Sequence, residues 1–478
     1  MINQYKCPIE GFSIIGFLGD GGNGDVYNIQ SDDGLENFAL KVLRKVQDVT
    51  YDRFKIEVNF LNEIDISGVM PLIDYYLPEN LKKDKAWYVM PLATTFREHI
   101  VSKSPIQIVT DFIPLVQTVA ELHEKKISHR DIKPDNFLFF NERVYLADFG
   151  LVKYPERIEL TPDFRDVGAK FTMAPEMRRI ANKADGIPAD IYSLAKSLWM
   201  ALTKEFLGFD GQYVSTSSIG LNHYIKDLLL SPLDKLLEQS TSNDPEMRPT
   251  AQVFLDQLSF WVNINQNFIQ RNLTEWFEIQ NLLFPFSAPA RAEWNDVREI
   301  VSVLNLIASR QALNHMFYPT GGGNDLISAE LAAEEGFIAL IVSERSAEVL
   351  KPKKLVYESF GYDPEWNYFW LECEDITPTG ITTLGYKGMD EYLIELSPGR
   401  YIEPSGWEIN EYQGVQLPLT SRIISRYITG SFVFFCKSST YNHTSATYDA
   451  WQNRGETKFR DLISRSALFN NGKRPIMP

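Results

Sequence analysis

The sequence predicts an α+β fold in which a small β-rich lobe and a larger helical lobe are followed by a separate α+β domain. Short β-type runs broken by Gly, Asp and Asn dominate residues 12–90, and such breaks are typical of hairpin turns. Helical spacing of apolar residues dominates from 105 to about 265. The pattern then becomes turn-rich and aromatic-rich, and 478 residues exceed one compact core. We therefore expect two domains, 1–265 and 266–478.

The composition favours a well-packed protein and disfavours several classes of function. Hydrophobic residues make up 44% of the chain and aromatic residues 13%, which is too apolar for a disordered protein. The net charge of −16 opposes a chain-wide grip on nucleic acid. Cys7, Cys373 and Cys436 are too far apart to suggest a zinc site or a disulfide framework. Since the sequence contains no apolar signal core and no run of about 18 apolar residues, we expect a cytoplasmic protein that binds neither membrane nor nucleic acid.

The first lobe begins with three β-type runs, FSIIGFL, DVYNIQ and NFALKVL. The segment TYDRFKIEVNFLNEI spaces Phe54, Val58 and Leu61 on one face of a helix. AWYVMPL then returns to a strand pattern. A β-rich lobe of this kind next to a helical lobe predicts a cleft between the two.

A glycine-rich stretch, GDGGNGDV, lies between the first two strands and contains Gly19, Gly21, Gly24 and Val26. A dinucleotide-binding fingerprint would open a helix instead. Glycines in a hairpin leave backbone N–H groups available to cover phosphates. The stretch therefore predicts a lid over phosphates, and an ordinary glycine turn is the alternative.

Lys41 lies in the apolar strand FALKVL, and Glu57 follows sixteen residues later in the predicted helix. A lysine in an apolar strand often extends to solvent, which is the alternative here. An ion pair between Lys41 and Glu57 would instead orient the amine toward the α- and β-phosphates of ATP.

Two polar stretches, HRDIKPDN and YLADFG, carry the groups that phosphoryl transfer needs. The first places Asp131, Lys133 and Asn136 in one loop, and the second places Asp148 after an apolar strand. Such a transfer depends mostly on positioning and charge neutralisation. Asp131 can accept the proton of an attacking hydroxyl, and Lys133 can balance charge on the moving phosphoryl group. Asn136 and Asp148 offer the hard oxygen ligands that Mg²⁺ prefers.

These motifs resemble those of the Hanks-type (eukaryotic-like) protein kinase family over about residues 11–262. Lys41 and Glu57 resemble the family's strand lysine and helix glutamate. Three further stretches are similar to family signatures: MAPE at the end of the activation segment with Glu176, DIYSLA with a buried aspartate at Asp190, and DPEMRPT with Arg248, which pairs with Glu176 in the family.

The resemblance implies the bilobal protein-kinase fold, with an N-lobe at about 11–92 and a C-lobe at about 93–265. It implies ATP and Mg²⁺ as cofactors and proteins as substrates. It also implies an adenine site formed by a gatekeeper, a hinge and apolar residues around the ring, namely Met90, Pro91 to Ala93, Val26, Ala39 and Leu138.

Substrate class and regulation follow from the same resemblance. A lysine two residues after the aspartate, here Lys133 after Asp131, resembles the pattern of the serine/threonine-specific subgroup. Ala169 departs from that pattern, since such kinases commonly have threonine there. Arg130 resembles the arginine that binds an activation-loop phosphate. We hypothesise that Thr161 is autophosphorylated and pairs with Arg130; the alternative is a charge that the segment already carries, at Asp163 or Asp166.

The sequence of the second domain shows no resemblance to a known family. Its expected elements are two amphipathic helices and strands at KKLVYESFGY, WNYFWLEC, EYLIEL and GSFVFFCK. YPTGGGNDLISAELAAEEGF, at 318–337, predicts a glycine turn before a helix, with anion binding as the less favoured reading. We expect an accessory or regulatory domain that responds to an effector, and stress or antiphage signalling is one hypothesis.

The sequence thus predicts an ATP- and Mg²⁺-dependent serine/threonine-protein kinase. The main alternative is an ATP-binding pseudokinase scaffold, which the intact set of Lys41, Glu57, Asp131, Asn136 and Asp148 disfavours. A small-molecule kinase is disfavoured by MAPE and its activation segment, which resemble a platform for polypeptide substrates.

Overall fold

The computed structural model divides into two compact units, Met1–Gln266 and Asn267–Pro478. It describes residues 6–20, 24–44, 48–81, 84–154, 170–178, 183–226, 228–317, 323–359, 366–374 and 392–397, together with short segments at 400–402, 411–412, 415–416, 421–426, 432–436, 461 and 463–465.

The first unit opens with a five-stranded antiparallel sheet in the order β1-β2-β3-β5-β4. A helix, α1, follows the third strand. The elements are β1 (Phe12–Asp20), β2 (Gly24–Ser31), β3 (Asn37–Leu43), α1 (Asp48–Glu63), β4 (Asp74–Tyr76) and β5 (Trp87–Pro91). The predicted strands and helix of the first lobe are confirmed.

The larger part of the first unit is helical, and its core consists of one large apolar cluster and a smaller one around Met173, Met177 and Tyr192. A small sheet, in the order β6-β7-β8, lies beside the helices. The elements are β6 (Thr94–Thr95), α2 (Phe96–His99), α3 (Pro105–Glu124), β7 (Phe137–Phe140), β8 (Arg143–Leu146), α4 (Gly186–Thr203), α5 (Ser231–Ser240) and α6 (Ala251–Gln266), with short 3₁₀ turns at Pro134–Asn136, Pro175–Met177, Leu221–His223 and Pro245–Met247.

Helices α3 and α4 show why the sequence folds in this way. Ser104 caps α3: its side chain accepts from the Gln107 backbone N–H, while the Gln107 side chain accepts from the Ser104 backbone N–H. A reciprocal cap of this kind marks the start of a helix. Asp185 caps α4 by accepting from the N–H of Ile187. Helix α4 is buried along most of its length, so it forms the centre of the helical part.

Among the residues that the structure describes, the second unit contains two long helices, two six-stranded sheets and one two-stranded sheet, and residues 461 and 463–465 are also helical. The strand orders are β11-β10-β22-β16-β15-β9, β12-β13-β14-β21-β17-β18 and β19-β20. The elements are α7 (Phe268–Leu283), β9 (Arg291–Trp294), α8 (Val297–Ala308), β10 (His315–Phe317), β11 (Gly323–Asp325), β12 (Ser328–Leu331), β13 (Ile338–Ser343), β14 (Ser346–Leu350), β15 (Pro352–Glu358), β16 (Tyr368–Cys373), β17 (Tyr392–Ser397), β18 (Arg400–Ile402), β19 (Glu411–Tyr412), β20 (Val415–Gln416), β21 (Arg422–Arg426) and β22 (Phe432–Cys436).

The predicted helix after the glycines at 321–323 is wrong, because β11 and β12 occupy that stretch. β12 pairs antiparallel with β13, with Ala329 opposite Leu340. The backbone of Ala329 also exchanges two hydrogen bonds with the side chain of Asn305, at 2.8 and 2.9 Å. Sheet pairing and this anchor to α8 outweigh the helix propensity of the Ala- and Glu-rich sequence. The four predicted strands and both amphipathic helices of this unit are confirmed.

No helix in the part of the chain that the structure describes is both long enough and apolar enough to span a bilayer.

Candidate active site

A cavity of about 420 Å³ lies in the first unit and is lined from both its five-stranded sheet and its helical part. One group of lining side chains is apolar, and the other is charged or polar. The apolar group includes Leu18, Val26, Ala39, Met90, Ala93, Leu138 and Ala147, and the polar group includes Lys41, Lys133, Asn136 and Asp148. A cavity with one apolar side and one charged side suits a ligand that has a planar base and phosphates.

The glycine-rich stretch borders this cavity at Gly19, while Gly21 lies outside the described residues. Gly19 is paired with Val26 across β1 and β2. At Gly24 a side chain has no room, since a Cβ there would lie 2.6 Å from the carbonyl oxygen of Val42. The need for glycine at this position therefore comes from close packing of β2 on β3.

Lys41 is buried at the charged side of the cavity, with only 3% of its surface exposed. Alternate residues of β3 face the same way, so Lys41 shares the cavity face with Ala39. The Lys41 Nζ donates to both carboxylate oxygens of Glu57, at 2.8 and 3.0 Å, and to Oδ1 of Asp148 at 3.3 Å. One amine thus joins a strand, a helix and a loop, and the solvent-exposed alternative for Lys41 is excluded.

The charges of this cluster shift one another's pKa values. Burial opposes the charge on Lys41, but the Asp148 and Glu57 carboxylates outweigh it and hold the pKa of Lys41 well above its usual value. Burial would raise the pKa of Asp148, but Lys41 and Lys133 hold it below its ordinary value. Burial raises the pKa of Glu57 against the attraction of Lys41. The amine and the Asp148 carboxylate are therefore charged at neutral pH.

Asp131, Lys133 and Asn136 meet in the loop between α3 and β7. The Lys133 Nζ donates to Oδ2 of Asp131 at 2.8 Å. The Asn136 Nδ2 donates to the Asp131 carbonyl at 2.7 Å and to Oδ2 at 3.1 Å. Burial raises the pKa of the Asp131 carboxyl, and Lys133 opposes this rise. A carboxylate with a raised pKa is a better proton acceptor near neutral pH.

Asp190, at the first turns of α4, anchors the backbone just before Asp131. Its two oxygens accept from the N–H groups of His129 and Arg130 at 2.7 and 2.8 Å. Arg130 has a φ of 69°, a left-handed conformation that costs free energy outside glycine. Two backbone N–H groups that donate to the buried Asp190 carboxylate hold this strained turn in place, which gives the predicted buried aspartate its role.

His129 connects this loop to the strand end before Asp148. Its Nδ1 accepts from the Asp131 N–H at 3.2 Å, so Nε2 carries the proton that is donated to the Ala147 carbonyl at 3.1 Å. Burial lowers the pKa of His129, which favours this neutral form. Asp148 is also left-handed, with a φ of 63°. The Phe149 ring that follows is fully buried against Phe60 and His129, with ring centroids 4.8 and 4.6 Å away.

Asn136 and Asp148 fit the expected Mg²⁺. Since the amide nitrogen of Asn136 is engaged with Asp131, its amide oxygen remains for a cation. Asp148 contributes an ionised carboxylate. Across the described residues, no group of three or more His, Cys, Asp or Glu side chains could hold a metal alone. This donor set suits Mg²⁺, which takes few protein ligands and completes its shell with phosphate and water oxygens.

The end of the predicted activation segment is tied to the helical part. Arg248 donates to both oxygens of Glu176, at 2.6 and 3.0 Å. The Thr172 hydroxyl donates to the Ile132 carbonyl at 3.0 Å, next to Asp131. Thr161, Asp163, Asp166 and Ala169 lie outside the described residues.

Several residues of the cavity were missed by sequence reasoning. They are Leu18, Tyr88, Thr95, Glu98, Asp135 and Ala147. From the sequence, Tyr88 is expected to be a core residue of an aromatic strand. In the structure its hydroxyl donates to Oε1 of Glu57 at 2.8 Å. Since Tyr88 pairs with Lys41 across β3 and β5, aligning the two predicted strands around Lys41 was the signal that could have found it.

Comparison with known proteins agrees with this geometry. The family model described as "Protein kinase domain" matches residues 12–260, just over half of the chain, and no family model matches the C-terminal region. The putative serine/threonine-protein kinase R436 of Acanthamoeba polyphaga mimivirus is 28% identical over 251 residues, which are 48% of this chain and 89% of that protein.

Two further relatives come from a plant and a bacterium. The serine/threonine-protein kinase AtPK2/AtPK19 of Arabidopsis thaliana is 30% identical over 257 residues, 50% of this chain and 51% of that protein. The probable serine/threonine-protein kinase PknB of Lactococcus lactis is 28% identical over 239 residues, 47% of this chain and 36% of that protein. The chain thus spans about half or less of the length of these two relatives. With a family match over more than half of its residues, the chain belongs to the Hanks-type serine/threonine protein kinase family.

Proposed function

We propose that the protein uses Mg²⁺ and ATP to transfer the γ-phosphate to serine or threonine side chains of proteins. The observation that carries the proposal is the Lys41 amine shared by Glu57 and Asp148, at 2.8 and 3.3 Å, at the charged side of the cavity. A cation held in this way between two elements can bind phosphate oxygens without being drawn into solvent. The apolar residues opposite it offer a surface for adenine.

The proposed roles follow from charge and hydrogen bonding. Asp131 accepts the proton of the substrate hydroxyl, helped by the burial that raises its pKa. Lys133, 2.8 Å from Asp131, balances negative charge on the phosphoryl group. Asn136 and Asp148 would hold Mg²⁺, which neutralises charge on the phosphates. Glu57 holds Lys41 in place.

The second unit and the regulation belong to the same proposal. We assign residues 1–265 to the kinase domain and 266–478 to an accessory domain that senses an effector, in stress or antiphage signalling. Arg130 is 5% exposed beside the catalytic loop, and autophosphorylation at Thr161 would supply it with a phosphate.

The full chain incubated with γ-labelled ATP and a general protein substrate tests the proposal. We expect label on serine and threonine and a loss of about a thousandfold in Asp131→Asn, since a general base typically contributes this much. ATP binding by calorimetry should persist in that variant. Asp256→Asn, an exposed carboxylate of α6, is the matched control. Mass spectrometry of the treated protein should find phosphate on Thr161.

A wild-type protein that binds ATP without labelling any hydroxyl would identify a scaffold and refute the transferase. Label on tyrosine alone would overturn the assigned substrate class.

A further inference from the structure

Tyr88 occupies a position of β5 directly opposite Lys41 of β3. It is 2% exposed and lines the cavity. Its hydroxyl donates to Oε1 of Glu57 at 2.8 Å, and its ring centroid lies 5.4 Å from the Lys41 Nζ. The side chain therefore contacts both members of the ion pair that orients the amine.

We propose that Tyr88 is a positioning residue for Lys41 and acts through Glu57; this inference rests on the proposed function. Oε1 of Glu57 accepts from Lys41 and from Tyr88, each at 2.8 Å, while Oε2 accepts from Lys41 at 3.0 Å. Lys41 reaches the carboxylate through a flexible four-carbon stem. The phenol adds a second donor on a short, rigid side chain, so the carboxylate stays in place when the amine turns toward a phosphate.

Packing around Tyr88 makes this second donor rigid. Its ring packs on Phe54 of α1, with centroids 5.5 Å apart. Leu43, Val58 and Ala86 belong to the same buried cluster. The hydroxyl thus links α1 to the sheet at the level of Glu57, independently of Lys41.

The phenol remains a donor across the working pH range. Burial, followed by the neighbouring Glu57 carboxylate, holds the pKa of Tyr88 well above its ordinary value. A neutral phenol can donate to the carboxylate, whereas a phenolate would repel it.

The substitution Tyr88→Phe removes the hydroxyl and keeps the ring. A hydrogen bond to a buried charge is among the strong ones, and its loss leaves Glu57 held by Lys41 alone. We expect kcat/KM for ATP to fall about tenfold. Because Tyr88 acts on the phosphate-binding amine, the KM for the protein substrate should stay within about twofold of the wild-type value.

Tyr213→Phe is the matched control. Tyr213 is 1% exposed and donates to Asp234 at 2.5 Å, so it is also a buried phenol on a carboxylate. It lies in the helical part and does not line the cavity. Its loss should lower the melting temperature and leave the kinetic constants for ATP unchanged.

A double-mutant cycle with Glu57→Ala separates positioning from general packing. If Tyr88 acts through Glu57, Tyr88→Phe should cost about tenfold in the wild-type background and less than about twofold in Glu57→Ala. An equal loss in both backgrounds, an equal loss in Tyr213→Phe, or no loss in Tyr88→Phe would each overturn the proposal.

ATP binding by calorimetry keeps the inference distinct from the proposed function. If the wild-type protein transfers no phosphate, the transferase fails, but weaker ATP binding by Tyr88→Phe than by wild type still supports the positioning role. Equal affinity overturns it. A wild-type protein that binds no ATP overturns both proposals together.

Discussion

Lys41 in the first unit and Arg271 in the second are both buried cations beside a buried glutamate. Lys41 is 3% exposed and lies 2.8 Å from Glu57, and Arg271 is 7% exposed and lies 3.0 Å from Glu275. Arg271 and Glu275 are four residues apart on α7. Lys41 and Glu57 come from a strand and a helix, and Asp148 adds a carboxylate 107 residues further along the chain.

The two sites differ in what else their charged groups contact. The second oxygen of Glu275 accepts from the backbone N–H of Ala312 at 2.7 Å, and the Arg271 guanidinium also donates to Gln311. Lys41 and Lys133 instead form one hydrogen-bonded or charge-linked group with three carboxylates, those of Glu57, Asp131 and Asp148. The group near the cavity keeps an excess of negative charge that a divalent cation can neutralise. Arg271 and Glu275 on α7 instead have their further hydrogen bonds within the protein.

Among the variants that compare these two sites, Lys41→Met should have the largest effect, because it removes the buried cation that Glu57 and Asp148 share. We expect phosphate transfer to fall by about a hundredfold or more, since a preorganised charge on the phosphates is lost. Steady-state kinetics with labelled ATP measure this. Lys55→Met is the control, since Lys55 is a partly exposed lysine of α1 that pairs with Asp52 and lies over the Tyr51 ring. Transfer that survives Lys41→Met would remove the distinction between the two sites.

Glu275→Ala should affect stability and leave ATP binding unchanged. It leaves the Arg271 charge and the Ala312 N–H buried without this carboxylate, and breaking a buried pair costs about 3 kcal/mol. Urea denaturation measures the free energy of unfolding of the second unit, and calorimetry measures the affinity for ATP. Glu278→Ala, on the same helix, breaks a pair with Arg310 in which both side chains are about a quarter exposed and should cost less than about 1 kcal/mol. Equal costs in the two variants would contradict the comparison.

The two sites also differ in how far the sequence could predict them. Lys41, Glu57, Asp131 and Asp148 lie in motifs that resemble those of a known family, so their convergence could be expected from that resemblance. Glu275 and Ala312 are joined by tertiary packing that no local pattern marks. The same holds for residues 328–331, where pairing with β13 and hydrogen bonds to the Asn305 side chain override a helical composition. Tyr88 was missed because the apolar strand pattern AWYVMPL predicts only that the side chain is buried. It does not predict which group the hydroxyl donates to.

Lys196 offers a third kind of buried charge and the smallest expected effect. It is 4% exposed on α4 and donates to the Phe209 carbonyl at 2.5 Å, between the rings of Phe209 and Tyr192 at 4.4 and 5.1 Å. Among the described residues it forms no ion pair. Burial, only partly opposed by Asp210, lowers the pKa of Lys196 from 10.5 to about 8.

A lysine whose pKa is lowered by folding should make stability rise with pH. Between about pH 8 and 10.5 the unfolded chain keeps the proton that the folded chain has released, so the free energy of unfolding increases across this window. Below pH 8 both states are protonated and the folded state bears the full cost of burying the charge. We therefore expect Lys196→Met to gain about 1 to 3 kcal/mol over wild type at pH 7, less the lost hydrogen bond, and to lose this advantage by pH 10.

Urea denaturation of both proteins at several pH values from 7 to 10 measures this difference, and contributions from all other groups cancel in it. Lys235→Met, on the exposed side of α5, removes a charge that stays in water in both states, so its difference from wild type should stay constant. If the Lys196→Met difference is equally constant, a carbonyl and two rings stabilise a buried cation as well as carboxylates do. In that case the shared carboxylates at Lys41 would be needed for chemistry alone and not to keep the amine charged.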